Sequence, residues 1–184
     1  MKKIFVVVSA LLMCCMFMGC GVKAQLVGTW ESSVTEENSC YADFNVISGE
    51  DELDKELPAV NKSQENITFT INKDGTFSWE DVVIDTYTVD MDAVEEEYDE
   101  IPAGTTFTSL YDSKETTKMS GTWYYHDSDK IILKITKYSY QDNDEDPEVD
   151  NTVGYISSEV VLVDDILFVT HPIEYKIVEF TKAK

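Results

Sequence analysis

Two histidines, a cysteine well inside the chain and 36 acidic side chains are the groups whose types could do chemistry. His126 stands in the run Tyr125-His126-Asp127-Ser128-Asp129, a turn in which a neighbouring carboxylate could hold it. His171, beside Pro172, reads as a strand-end residue. A nucleophilic triad needs a serine, a histidine and an acid brought together, with an oxyanion hole beside them. The chain has no G-x-S-x-G elbow and no nucleophile motif around Cys40, so nothing nominates a catalytic set. Paired carboxylates for glycoside chemistry are defined by a separation in space, which spacing along a chain does not reveal. The expectation is a protein that is not an enzyme.

The run Asp142-Asn143-Asp144-Glu145-Asp146-Pro147-Glu148-Val149-Asp150 invites a calcium reading, because hard cations take clustered oxygen ligands. Asp142, Asp144 and Asp146 are spaced like the start of an EF-hand loop. Pro147 then stands where such a loop needs glycine, and Val153 where it needs glutamate. No metal site is therefore expected, with that aspartate triplet as the alternative. Zinc fits less well, with two distant histidines and Cys40 as the ligands on offer. No cofactor is implied.

Charge narrows the partners. The net charge is −22, and all 14 basic residues are lysines. Arginine is the usual residue for bidentate phosphate recognition, and phosphate neutralisation dominates nucleic-acid affinity. A nucleic-acid role is excluded on that ground. So acidic a surface keeps a protein soluble and monomeric, and it steers cationic partners towards it.

The elements that must position these groups are almost all strands. Leu26 to Trp30 opens the domain, and Ile67, Phe69 and Ile71 alternate with polar residues as a half-buried strand does. Asn72-Lys73-Asp74-Gly75 is a turn into Thr76–Trp79, with glycine supplying positive φ. Met119–Tyr125, Lys130–Tyr138, Val153–Val163, Ile166–Thr170 and Ile173–Thr181 continue the pattern, with Asp164-Asp165 as a tight hairpin turn. Fainter runs lie at Tyr41–Ile47, Val82–Val89 and Thr105–Tyr111. Evenly spaced strands with turn signals predict an all-β antiparallel barrel of about 8–10 strands. Three acidic segments, Glu50–Glu56, Asp90–Glu100 and Asp142–Asp150, read as insertions on its rim. Glu50–Leu57 and Asp92–Glu100 are the candidates for short helices or solvated loops.

Before the barrel comes an address. Lys2 and Lys3 precede an apolar run from Ile4 to Met18, too short to span a membrane, and Met18-Gly19-Cys20 closes it. This arrangement resembles a bacterial lipoprotein signal. The resemblance implies cleavage after residue 19, fatty acyl chains such as palmitate on Cys20, and a cell-envelope location held through that lipid. Residues 20–25 would form a short tether and residues 26–184 a single domain. Cys40 would be the remaining free thiol, read as a small half-buried strand residue.

Within the domain, Gly28-Thr29-Trp30, Asp74-Gly75-Thr76-Phe77, Gly121-Thr122-Trp123 and the closing hairpin Val160–Phe180 follow the order seen in bacterial lipocalin-like small lipoproteins. The likeness implies an up-and-down barrel in which Gly28, Trp30, Gly75, Gly121 and Trp123 are structural. The late-strand arginine that covers the first tryptophan in lipocalins is absent, and Lys176 or Lys182 are its substitutes. Trp79 and Trp123 are the candidates to line a cavity, with core packing as the plainer reading. Ser120-Gly121-Thr122-Trp123-Tyr124 also fits the S-G-x-x-Y strand motif of small lipoprotein inhibitors of C-type lysozyme. Two functions follow: binding of a small apolar or amphipathic ligand, or capture of a cationic protein by an acidic, filled barrel.

Overall fold

The computed structural model describes residues 23–97, 101–127, 130–151 and 154–183; Cys20 and the expected signal segment before it lie outside the described residues. Three long strands come first: β1 (Gly28–Ser48), β2 (Asp51–Ile71) and β3 (Thr76–Val89). Helix α1 (Met91–Glu97) and the short β4 (Thr106–Ser109) follow. The rest is β5 (Ser113–Asp127), β6 (Lys130–Asp142), β7 (Glu148–Asp150), β8 (Tyr155–Val163), β9 (Ile166–Thr170) and β10 (Ile177–Lys182). Eight strands, β1-β2-β3-β5-β6-β8-β9-β10, close an antiparallel, lipocalin-like up-and-down barrel when β10 returns to β1.

Side-chain alternation decides what fills it. Along β6, Ile131, Leu133 and Ile135 point inward and are buried, while the intervening residues face out. The same parity sets Phe69 and Ile71, Phe77 and Trp79, Leu167 and Val169, and Phe180 inside. Turn chemistry holds the register. Asp164 and Asp165 both adopt positive φ, 50° and 67°, as a two-residue hairpin loop demands. Gly75 has φ 84°, and the Asp74 carboxylate accepts hydrogen bonds from the Thr76 amide and hydroxyl. Gly121 stands at a β-bulge against β6, where a methyl group would collide with the Lys134 carbonyl oxygen. No side chain fits there.

One end of the barrel is plugged. Residues 23–26 form a helical turn, Leu26 is fully buried, and the Trp30 indole N–H donates to its carbonyl at 2.8 Å. Lys182 Nζ lies 5.2 Å from the centre of the Trp30 ring, so of the two lysines named for that place it is Lys182 that covers the ring. Its stem passes through the space beside Gly28, where a Cβ would lie 2.9 Å from Lys182 Cε. Trp123 closes the same end. Its indole N–H donates to the Asn72 carbonyl, and Lys23 Nζ lies 5.5 Å from its ring centre.

Beyond the barrel, β1, β2 and β3 run on together as an arm with a second, smaller core of Ala42, Phe44, Leu57, Ala59 and Val94. Helix α1 and β4 cover it. Asp90 starts the helix, its carboxylate accepting from the Ala93 amide, and Val94 is the residue the helix buries. Two expectations need correcting here. Glu50–Leu57 is neither helix nor loop, because Asp51–Leu57 pairs with Ala42–Ser48 as the first part of β2. His126 belongs to β5 and not to a turn. The helix expected at Asp92–Glu100 spans Met91–Glu97, and residues 98–100 lie outside the described residues.

Candidate functional site

The end of the barrel opposite the plug is built from the turn that joins β9 to β10. Pro172 cannot continue β9, and Tyr175 at φ 57° reverses the chain. The His171 amide donates to the Lys176 carbonyl at 2.7 Å. The His171 side chain, 2% exposed, organises the turn from inside: its Nδ1 accepts from the amides of Ile173 (3.2 Å) and Glu174 (3.1 Å). A nitrogen that accepts carries no proton, so the ring proton is on Nε2, which faces Asp81 Oδ2 at 3.3 Å. Asp81 points into the barrel from β3 and is 5% exposed. Above it, Lys176 Nζ donates to Glu65 at 2.6 Å and to Glu174 at 2.7 Å. The hydrogen bond from Lys176 holds the Glu174 carboxyl below the usual carboxylate range, against the opposing effect of burial. Burial pulls Lys176 down, but its bonds to Glu174 and Glu65 outweigh that and raise it.

The floor under this mouth is polar. Three buried atoms there have no hydrogen-bond partner: Trp79 Nε1, Asp81 Oδ1 and Ser158 Oγ. Trp79 meets His171 edge-on with ring centres 5.0 Å apart. Carried two residues past Val160↔Val169, the β8–β9 register sets Ser158 beside His171. A serine, a histidine and an acid thus come together, yet they do not form a triad. Both ring nitrogens are engaged, so neither can take a proton from Ser158. The same engagement argues against a cation. Asp81, His171 and Glu174 bring ligand atoms within 4.8 Å of one another, but a metal on Nε2 would need the ring proton on Nδ1, against two amide donors.

Other candidates from the sequence lie elsewhere. Trp79 is 1% exposed and packed between Phe69 and Phe180, at centroid distances of 5.1 and 5.4 Å. Trp123, at 4% exposure, belongs to the plug. Asp142, Asp144 and Asp146 follow the β6–β7 turn and do not converge as a group of ligands among the described residues. That turn is held by its own backbone instead, the Asn143 amide donating to the Lys114 carbonyl at 2.7 Å. Cys40 is a half-buried free thiol on β1, beside a cleft of roughly 650 Å³ between the arm and α1.

What sequence reasoning missed is the seam beside the mouth. β10 pairs with β1 at Trp30↔Lys182 and Glu31↔Thr181, and then the two strands part. The opening is a groove of roughly 620 Å³, lined by Glu31, Ser33, Val34 and Glu36 on one side and Ile177 and Glu179 on the other. Glu65 and Lys176 close its inner end. The signal was available in principle, as an acidic stretch of β1 in which Val34 is the one apolar residue at an inward position between Trp30 and Cys40.

A scan against protein-family models finds no match for this chain, and neither the curated proteins nor the solved structures compared with it give one.

Proposed function

We propose that this chain is a noncatalytic envelope lipoprotein, anchored through lipid on Cys20, that captures a cationic protein with its acidic surface. The observation that carries the reading is the filled interior. Trp30, Phe69, Trp79 and Phe180 are each 0–1% exposed and occupy the space in which a lipocalin-type ligand would lie. An apolar ligand would have to displace side chains whose burial contributes about 1.5–3 kcal/mol each. The surface is what remains, and its formal charge of −22 favours association with cations.

The test uses the full chain with C-type lysozyme as a strongly cationic probe. Salt-sensitive capture, no capture of an acidic control protein and no noncovalently held lipid-like mass in native mass spectrometry are expected. Lipid-like mass held noncovalently, beyond any acyl chains on Cys20, or failure to retain the cationic probe at low salt, overturns the reading. The anchor is tested separately: a Cys20→Ser protein is expected in the soluble fraction, and firm membrane retention refutes lipid attachment.

A further inference from the structure

We propose that the seam between β1 and β10 is a strand-addition site, taking an extended segment of the partner that bears lysine or arginine side chains. The inference rests on the cationic partner of the preceding reading and adds where and how it binds.

The backbone of β1 offers an open edge. β2 pairs with β1 along its whole length, but the other edge of β1 is covered only in two places. β10 covers Trp30 and Glu31, and β4 covers Phe44–Ile47. Among the described residues, no strand pairs with that edge between Ser32 and Ala42. Ser33–Ser39 are exposed on both faces of the sheet. An uncovered strand edge is a row of backbone donors and acceptors ready for another strand, and peptide recognition uses such edges. The site is also bounded, because Thr181 ends one side and β4 the other. An antiparallel segment entering the seam would continue the sheet where β10 leaves it.

Charge selects the occupant. Successive side chains on β1 alternate between faces, so a strand laid beside it meets carboxylates on both. Glu36 and Glu65 stand towards the mouth, and Glu31 and Glu179 stand outside. Lys176 pairs with Glu65 and Lys62 approaches Glu37 at 3.7 Å, while Glu31, Glu36 and Glu179 have no cation of this protein paired to them among the described residues. A second copy of the chain would bring like charges face to face, which destabilises cross-strand pairs. A strand with basic side chains on both of its faces meets neither obstacle.

The experiment compares two short synthetic peptides in which pairs of lysines alternate with pairs of threonines, so that lysines stand on both faces, one with unmodified amides and one N-methylated at alternate amides. The methylated peptide keeps its charge and loses donors on the edge-facing side. The unmodified peptide should bind and slow amide hydrogen exchange across Ser32–Ser39, and methylation should weaken it by about tenfold or more, ~1.4 kcal/mol. A triple variant, Glu31→Gln, Glu36→Gln and Glu179→Gln, should also bind it more weakly while folding as the parent does. Equal binding of both peptides overturns strand addition and leaves charge-based capture intact. Protection falling elsewhere, no binding of either peptide, or a dimer formed through the same edge overturns the inference. Lysozyme capture is read independently of all of these, so the two ideas fail separately.

Discussion

The barrel and the arm are made from the same three strands, yet they are held together by different means. In the barrel, β1, β2 and β3 contribute Trp30, Ile67, Phe69, Ile71, Phe77 and Trp79 to a core shared with five further strands. In the arm β1 and β2 contribute Ala42, Phe44, Leu57 and Ala59, with Tyr87 and Val89 of β3 packed against them and Val94 of a single short helix as the roof. Between the two lies a waist, Ser33–Ser39 on β1, which neither core covers. Hydrogen bonds run unbroken along the β1–β2 pair through this waist, from Gly28↔Ile71 to Ser48↔Asp51. Continuity of a strand therefore does not make one cooperative unit; a shared core does. Regions with few buried apolar contacts open at lower free energy than the whole molecule.

The largest losses are expected in the barrel. Phe69→Ala removes a fully buried ring that packs on Phe77, Trp79 and Phe180, and a loss of about 3–5 kcal/mol is expected in chemical denaturation. Gly121→Ala should be comparably damaging, because its methyl group meets backbone that must move. In the arm, Phe44→Ala should abolish amide protection across Ala42–Ser48 while leaving the main thermal transition nearly unchanged. An equal fall of that transition in both variants would show that arm and barrel unfold as one.

The smallest effects come from two titrating contacts, one in each region. Glu174 sits below its usual value, so its contribution is complete at neutral pH and fades as pH falls below about 4. In the arm, the hydrogen bond to Asp43 at 2.6 Å raises the Tyr111 phenol. Its contribution is present below about pH 10 and is lost as pH rises through the raised value. Acid should therefore loosen the mouth and alkali the arm, read by hydrogen exchange at Ile173–Lys176 and at Leu110–Asp112. Lys176→Met should remove the acid effect, worth only a few tenths of a kcal/mol for so exposed a pair. A parent and a variant with the same acid profile would refute that assignment.

Much of the barrel was legible because local chemistry and global fold agree. The Asn72–Gly75 and Asp164-Asp165 turns announce themselves, and Ile67, Phe69 and Ile71 alternate as inward residues must. The arm was hard to read for a physical reason. Asp51–Asp54 is exposed on both faces, so the alternation that marks a half-buried strand is absent, and acidity imitates a loop. The mouth was less legible still. His171 and Asp81 are 90 residues apart, and nothing in either neighbourhood says that the barrel will bury them together. The seam is a property of pairing that stops, and a sequence records residues, not missing neighbours.

The plug has a mechanical consequence. The helical turn at residues 23–26 seats Leu26 against Trp30, and Lys23 reaches Trp123, so the chain enters the barrel through its sealed pole. The few residues between Cys20 and this turn span at most about 10 Å. With lipid on Cys20, tension would enter at that pole and run along β1, past the seam, towards the arm. A partner strand lying antiparallel on β1 would then be loaded along its own length. Its hydrogen bonds lie across the strands and would share that load in shear, whereas a peeling force would break them one at a time.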